Sequence, residues 1–234
     1  MPKTTGKREK EKEPIGHTRK AYLGIRSMMF HNEIVPDQKI SYRWLAERLH
    51  MSQTPVIQAL KWLEFQQLVR HEPNRGYFTA PIRRSEVEEI YEVRELVETS
   101  LLPATMRRLD DEAIARLQSA LDRHLQAARE VYLYDRLVKD MDFHLTLAAL
   151  SGRRVQQQVL SNLFDLLYLK YGGRILFSTS MDSADDDHRA LFDALQQRNL
   201  PTARSVLRRH IRRVKVHVLK SLDQIERAKQ QVAP

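Results

Sequence analysis

The sequence predicts a mainly α-helical chain in two parts: three short helices closed by a β-hairpin, then an all-helical antiparallel bundle of six helices. Glycine and proline are scarce, at 7 and 9 of 234 residues, whereas 29% of the residues are charged. This composition disfavours a turn-rich all-β fold. Apolar residues recur at three- and four-residue intervals along most of the chain, which is the helical period. The hydrophobic content of 42% is sufficient for two modest cores.

Residues 1–16 form the first predicted segment, a disordered tail. The segment alternates lysine and glutamate and holds almost no apolar side chain. Such a composition cannot offset the entropy lost on ordering. The tail could touch DNA phosphates, but its alternating charges favour a solubilising role.

Residues 17–82 form the first predicted domain. A helical pattern starts at Thr18, a second helix follows Ser41 as its N-cap, and a third follows Ser52. Two β-prone runs then flank the turn-rich Pro73-Asn74-Arg75-Gly76, which predicts a hairpin. Three helices closed by a hairpin make the winged helix-turn-helix, whose third helix enters the major groove of DNA.

The positive charge is concentrated in this first third of the chain. Residues 1–83 carry 15 Lys and Arg against 8 Asp and Glu, which is +7 of the total net charge of +9. A basic block ahead of a nearly balanced remainder is typical of a polyanion-binding module followed by a domain with another task. From charge alone, a solvated basic surface is the alternative.

Residues 83–229 form the second predicted domain, and residues 230–234 a short tail. Apolar periodicity runs from Val87 to Leu102 and from Ile114 to Leu125. The start signals of this domain include Asp110-Asp111 and Pro201-Thr202. Further helices are predicted near 133–150, 154–170, 183–198 and 201–229. Six helices with short connections favour an antiparallel bundle.

Two absences exclude several classes of protein. The chain has no cysteine, so it holds no disulfide framework, thiolate zinc finger, iron–sulfur centre or cysteine nucleophile. It also has no run of about 18 apolar residues and no secretory signal pattern at its start. We therefore expect a soluble, cytoplasmic protein whose metal or acid–base chemistry depends on histidines and carboxylates.

Two stretches of the sequence resemble one protein family. The segment 52–63, Ser-Gln-Thr-Pro-Val-Ile-Gln-Ala-Leu-Lys-Trp-Leu, with Arg75-Gly76-Tyr77-Phe78 downstream, is similar to the winged helix of GntR-superfamily transcription regulators. The second half resembles the helical ligand-binding domain, called FCD, of the FadR/VanR branch. Its matching segments are Tyr91-Glu92-Val93-Arg94-Glu95-Leu96-Val97-Glu98, Asp140-Met141-Asp142-Phe143-His144, His188 and His210. The resemblance covers about residues 18 to 220, and a six-helix second domain favours the VanR-like subgroup.

The resemblance implies that the third helix and the hairpin tip contact DNA. The implied DNA-binding residues are Arg43, Ser52, Gln53, Thr54, Ile57, Gln58, Lys61, Arg75 and Gly76. The chain departs from the family at Gln53 and Ile57, where relatives usually carry arginine. Because arginine pairs with guanine, glutamine prefers adenine and isoleucine touches only a thymine methyl, we expect an operator that depends less on guanine at those bases.

Asp140 and His144 are four residues apart in a predicted helix, so both side chains lie on one face. Alone, the two residues could equally form an ordinary Asp–His hydrogen bond. The resemblance implies that His188 and His210 join them from two other helices to bind a divalent metal, and zinc, nickel or manganese suits this ligand set. His217 is predicted to lie outside the ligand set. The remaining histidines, His17, His31, His50, His71 and His124, have no partners at ligand spacing and receive no role.

Three further residues are candidates for effector binding. The resemblance places Arg94 on the wall of an effector cavity, where a guanidinium would bind a carboxylate. The alternative is a plain helix pair between Arg94 and Glu98. Tyr168 and Arg174 could line the same cavity or merely close the bundle.

The resemblance thus implies a homodimeric, sequence-specific transcription regulator that is not an enzyme. Such a protein would repress at a palindromic DNA operator and respond to a small organic acid bound at the metal. One alternative is a regulator whose metal is purely structural or is itself the ligand. Another is a histidine-rich metallohydrolase, but no general base accompanies the cluster in a recognisable motif and the DNA-binding half would be unexplained.

Overall fold

The computed structural model describes residues 14–81, 83–127, 133–170 and 182–232. The chain is mainly helical, as predicted. It divides into two compact units, Met1–Ala80 and Pro81–Pro234. Each described unit buries its own set of apolar side chains.

The N-terminal unit combines three helices with a three-stranded antiparallel sheet. Strand β3 lies between β1 and β2, with Lys39 opposite Phe78 and Val69 opposite Thr79. The hairpin prediction is confirmed, whereas the two-residue strand β1 was not predicted because so short a strand shows no periodicity. The elements are α1 (Pro14–Phe30), β1 (Lys39–Ile40), α2 (Tyr42–Arg48), α3 (Gln53–Phe65), β2 (Val69–Glu72) and β3 (Gly76–Thr79).

The starts of these helices differ in part from the predictions. The hydroxyl of Ser41 accepts a hydrogen bond from the Trp44 backbone N–H at 3.2 Å, as expected of an N-cap. Ser52 occupies the N-cap position of α3 with extended backbone, but its side chain makes no capping hydrogen bond. Helix α1 begins at Pro14 and not at Thr18. The last three residues of the predicted 1–16 tail are therefore helical, because proline is well suited to a first helical turn.

The apolar faces of α1 and α3 pack together and leave the outer face of α3 to solvent. Burial of this seam against water stabilises the small unit, since each fully buried aliphatic side chain contributes about 1.5–3 kcal/mol. Gly76 has a φ of 95°, a conformation that favours glycine and lets the hairpin turn tightly into β3. The buried apolar side chains of the two helices include Ala21, Ile25, Met29, Val56, Ala59, Leu60 and Leu63.

The C-terminal unit contains six α-helices within its described residues, the number predicted. The predicted 154–170 helix is present, and its last five residues form a π-helical turn. Helix α9 continues to Val232, so the predicted 230–234 tail begins too early. The elements are α4 (Arg84–Arg107), α5 (Asp111–Ala127), α6 (Leu133–Leu150), α7 (Arg154–Asp165), the π-helical turn (Leu166–Lys170), α8 (Asp182–Gln196) and α9 (Leu200–Val232).

Side-chain caps mark two of these starts. Asp110 accepts from the Ala113 backbone N–H at 2.8 Å and begins α5, as predicted. The cap of α9 is Asn199, whose side-chain oxygen accepts from the Thr202 backbone N–H at 3.1 Å. The predicted start signal at Pro201-Thr202 therefore lies inside the first turn, because asparagine is the stronger N-cap.

Most of the buried charged and histidine side chains of the C-terminal unit form one group inside its apolar core. Helix α4 packs along α9, while α5 packs against both α6 and α8. Between them lies a group of buried polar side chains, each no more than 6% exposed. Buried polar residues need partners or a ligand, which makes this group the candidate site. They are Arg94, Glu98, His124, Asp140, His144, His188 and His210.

Within the described residues, none of the helices has the length and apolar character needed to span a bilayer.

Candidate metal centre

Four of the buried residues converge from three helices. Asp140 and His144 lie one turn apart on α6, His188 comes from α8 and His210 from α9. One ligand atom of each residue lies within 4.8 Å of the others. The structure therefore brings together all four residues of the predicted metal site, which we call the tetrad.

The spacing of the donor atoms suits a divalent ion. The Nε2 atoms of His144 and His188 are 3.2 Å apart, and Asp140 Oδ1 lies 3.4 Å from the Nε2 of His188 and 4.0 Å from that of His144. Ligands about 2.1 Å from a tetrahedral ion are about 3.4 Å from each other. Within the described residues, Asp140 Oδ1 and His210 Nδ1 have no hydrogen-bond partner. Imidazole nitrogens and one carboxylate fit zinc, nickel or manganese.

Electrostatics within the tetrad favour an ionised Asp140 and a neutral His210. Burial alone raises the pKa of Asp140, but the positive potential of the surrounding histidines outweighs it and holds this pKa well below the usual range. Burial lowers the pKa of His210 well below its ordinary value, and repulsion from His188 and His144 acts in the same direction. An ionised carboxylate and a neutral imidazole are the forms of these two residues that bind a cation.

Arg94 and Glu98 lie beside the tetrad on α4. The Arg94 Nε–H donates to Glu98 Oε1 at 2.8 Å, and the His144 Nδ1 lies 2.6 Å from Glu98 Oε2. The Arg94 and Glu98 side chains are each 2% exposed. Arg94 packs over the Phe164 ring at 4.3 Å from its centroid, and its Nη2 has no hydrogen-bond partner among the described residues. Arg94 thus forms the helix pair with Glu98 and still presents a free donor.

The other two effector candidates have different outcomes. Tyr168, in the π-helical turn, is 6% exposed and its hydroxyl donates to Asp140 Oδ2 at 3.3 Å. Burial and the Asp140 charge raise the pKa of Tyr168 well above its ordinary value, so the hydroxyl remains a donor. Arg174 lies outside the described residues.

Sequence reasoning missed two further groups around the tetrad. His124 was given no role, yet it is fully buried on α5, with its ring centroid 4.2 Å from that of His188 and its Nε2 3.2 Å from Asp185 Oδ1. Asp187 is 3% exposed, lies 3.9 Å from His210 Nδ1 and binds Arg209 at 2.9 Å. The position of Asp187 next to His188 was the one available signal in the sequence. His124 offered none, because its neighbours come from another helix.

Most residues implied in DNA binding lie on the open surface of the N-terminal unit. Ile57 and Gly76 are half-buried, whereas the others are exposed. Gln58 is partly engaged, because its side-chain oxygen accepts from the Thr18 hydroxyl at 2.6 Å. Arg75 pairs with Glu72 and lies over the Phe78 ring at the hairpin. The exposed residues are Arg43, Ser52, Gln53, Thr54, Gln58, Lys61 and Arg75.

Comparison with protein families agrees with this two-part architecture. Residues 17–79 match the model described as "Bacterial regulatory proteins, gntR family", and residues 89–213 match the FCD domain. The FCD match alone covers more than half of the chain. The chain belongs to the GntR family of transcription regulators with an FCD domain. GntR regulators of this kind bind DNA, and FCD domains bind small-molecule effectors.

Individual relatives match this chain over more than four fifths of both lengths. The chain is 29% identical over 203 residues to an uncharacterised regulator of Streptomyces ambofaciens, covering 84% of this chain and 82% of the relative. It is 24% identical over 200 residues to the transcriptional repressor GlaR of Escherichia coli, covering 81% and 90%. Both relatives are transcription regulators.

Solved structures show the same fold. Escherichia coli McbR/YncC superposes with a TM-score of 0.77 at 18% identity, covering 88% of this chain and 98% of that one. A GntR-type regulator of Rhodococcus sp. RHA1 superposes with a TM-score of 0.74 at 20% identity, with the same coverage. At these identities the likeness concerns the fold alone.

Proposed function

We propose that this GntR/FCD regulator is a repressor, of the VanR-like subgroup, that senses a small carboxylate through a divalent metal held by the tetrad. The observation that carries the proposal is the buried convergence of Asp140, His144, His188 and His210 beside the free donor of Arg94. FCD domains often bind metals, which supports this use of the cluster. The metal could be zinc, nickel or manganese, because no thiolate selects among them.

The tetrad residues would hold the ion, which would supply a Lewis-acidic centre for an effector oxygen. Arg94 would bind the effector carboxylate through Nη2, while Nε remains on Glu98. Tyr168 orients the Asp140 carboxylate through its hydroxyl. Arg174 stays a candidate for the same cavity only because it follows the fourth predicted helix of this domain.

The DNA-binding half of the proposal depends on exposed polar side chains of α2, α3 and the hairpin. Two copies related by a two-fold axis would read a palindromic operator. Exposed apolar side chains on neighbouring helices of the second unit support a homodimer, among them Leu96, Val155 and Val216. An effector that binds two states of the dimer with different affinities would shift DNA occupancy, and a 10²- to 10⁴-fold difference corresponds to about 3 to 5.5 kcal/mol.

The metal proposal predicts about one divalent ion per chain in protein purified without chelator. Changing His144→Ala and His188→Ala together removes two imidazole ligands, so the ion is expected to be lost. Elemental analysis of the purified proteins measures both results. A His71→Ala variant serves as the control, because His71 lies in the N-terminal unit and its loss leaves the tetrad intact.

Two outcomes would contradict parts of this proposal. Absence of metal in the wild-type protein, together with no binding of added zinc, nickel or manganese, would remove the metal from the sensing mechanism. Loss of helical circular dichroism on chelation would instead indicate a structural metal.

The DNA-reading residues lead to a second prediction, on operator sequence. Because Gln53 and Ile57 replace arginines, selection of binding sites from random DNA is expected to return half-sites with reduced guanine preference at the bases those positions face. The variant Gln53→Arg is expected to regain guanine at one of these bases, by about 1–3 kcal/mol of discrimination. An undiminished guanine preference in the wild-type protein would contradict the prediction.

A further inference from the structure

We infer that Glu98 is a positioning residue that serves the metal ligand His144 and the effector residue Arg94 at once, so that one carboxylate sets both binding functions. The inference deepens the proposed function and rests on it. No sequence signal assigned a role to Glu98 beyond a helix pair with Arg94. The structure shows that this carboxylate has two buried partners instead of one.

The geometry divides the two oxygens of Glu98 between two donors. Oε1 accepts from Arg94 Nε at 2.8 Å, and Oε2 lies 2.6 Å from His144 Nδ1. The Glu98 side chain is 2% exposed and that of His144 is fully buried, so water does not compete for these bonds. Short bonds to an ionised partner in a buried setting are the strong ones.

The contacts of Glu98 indicate which nitrogen of a neutral His144 carries the proton, because Oε1 already accepts from Arg94 Nε and Oε2 lies 2.6 Å from His144 Nδ1. An ionised carboxylate only accepts hydrogen bonds, so the proton of His144 lies on Nδ1. Nε2 then presents its lone pair to Asp140 and His188, the side where the metal would bind. A carboxylate behind a metal-binding imidazole fixes the tautomer and the ring orientation.

A glutamine at this position could not serve both donors. Its amide has one accepting oxygen and one donating nitrogen, whereas Arg94 Nε–H and His144 Nδ1–H both require acceptors. The hydrogen bond to the charged guanidinium is the stronger of the two, so the amide oxygen would face Arg94. The amide nitrogen would then face His144 and favour the Nε2–H tautomer, which cannot bind a metal through Nε2.

The two hydrogen bonds of Glu98 predict that a second substitution, at Arg94, restores part of the metal affinity lost in Glu98→Gln. With Ni²⁺ as the probe and full-length protein, Glu98→Gln is expected to bind the ion 10- to 100-fold more weakly than the wild type, the usual effect of losing such a partner. Adding Arg94→Met removes the competing donor and lets the amide oxygen turn to His144. The double variant is therefore expected to bind Ni²⁺ more tightly than Glu98→Gln alone. Competition with a chromophoric chelator measures each affinity.

Two controls separate positioning from a general loss of structure. Glu95→Gln changes a carboxylate on the same helix that pairs with Arg212 away from the tetrad, and it is expected to keep wild-type Ni²⁺ affinity. Thermal unfolding of each metal-free variant checks that the chain is folded. The ¹⁵N shifts of the His144 ring in metal-free protein provide a readout that needs no metal, with Nδ1–H expected in the wild type and Nε2–H in Glu98→Gln.

The outcomes distinguish this inference from the proposed function. If the wild type binds Ni²⁺ and Glu98→Gln binds it within about twofold, the inference is overturned while the metal site stands. If the double variant binds Ni²⁺ no more tightly than Glu98→Gln, the inference that Arg94 competes with His144 for the amide oxygen is refuted. If the wild type binds no metal, the proposed function fails, and the ¹⁵N tautomers still confirm or refute the role of Glu98 at His144.

Discussion

Replacing Arg94 with methionine is expected to lower the free energy of unfolding of the metal-free protein by about 3 kcal/mol at pH 7, because removal of one partner leaves a buried charge without compensation. Glu98 is the charge at risk, since its side chain is 2% exposed and its Oε1 depends on Arg94. Methionine is of similar length and apolar, so packing against Phe164 is largely kept. Urea denaturation followed by circular dichroism measures the loss.

Two matched variants test this explanation. Arg94→Met combined with Glu98→Gln is expected to be more stable than Arg94→Met alone, because a neutral amide costs less to bury than a carboxylate. Arg212→Met removes an exposed arginine from Glu95 and is expected to have a much smaller effect. Equal losses for Arg94→Met and Arg212→Met would contradict a special role for the buried pair.

Metal binding is expected to produce the second large effect, on stability. A ligand that binds only the folded state at 1,000 times its Kd stabilises a protein by about 4 kcal/mol. Saturating Zn²⁺ or Ni²⁺ is therefore expected to raise the unfolding temperature of the wild type clearly and to leave the His144→Ala/His188→Ala variant unchanged. Differential scanning calorimetry measures both, and an equal rise in the two proteins would place the ion elsewhere.

The same centre predicts a dependence on pH. The folded-state pKa of His210 lies well below its ordinary value of 6.5. As the pH falls through 6.5, the unfolded chain binds a proton at His210 that the folded chain does not bind. The contribution of His210 to stability is therefore fully present above pH 6.5 and is lost as the pH falls further. Protons also displace a metal from its imidazole ligands. We expect the unfolding temperature of the metal-free protein to fall between pH 7.5 and 5.5, and to fall less in His210→Asn; identical slopes would contradict this assignment.

Local elements of the fold could be predicted from the sequence because their signals are local. The stripes of α1 and α3, the Ser41 and Asp110 caps and the hairpin turn are each determined by neighbours a few residues away. Errors occurred where several local solutions compete, as at the start of α1 and the cap of α9. Strand β1 escaped prediction because its two residues become a strand only by pairing with β3.

Residues of the candidate site were likewise predictable from local spacing, but not where their contacts depend on packing between helices. The i, i+4 spacing of Asp140 and His144 was sufficient to place both on one helix face. Their association with His188 and His210 rested on resemblance to a family, since no rule of periodicity brings three helices together. His124 and Glu98 were given no part in the site. The sequence around a single helical residue does not indicate which residues of other helices will contact its side chain.

By itself, therefore, the sequence determined the two-part helical organisation, the exposed polar face of α3 and the ligand types available for a metal. Only the tertiary structure decided which polar side chains would share one buried volume. The physical reason is that packing α4, α5, α6, α8 and α9 removes water from Arg94, Glu98, His124 and the tetrad together. Once water is excluded, buried polar atoms need partners nearby, and the two partners of Glu98 connect His144 of α6 to Arg94 of α4.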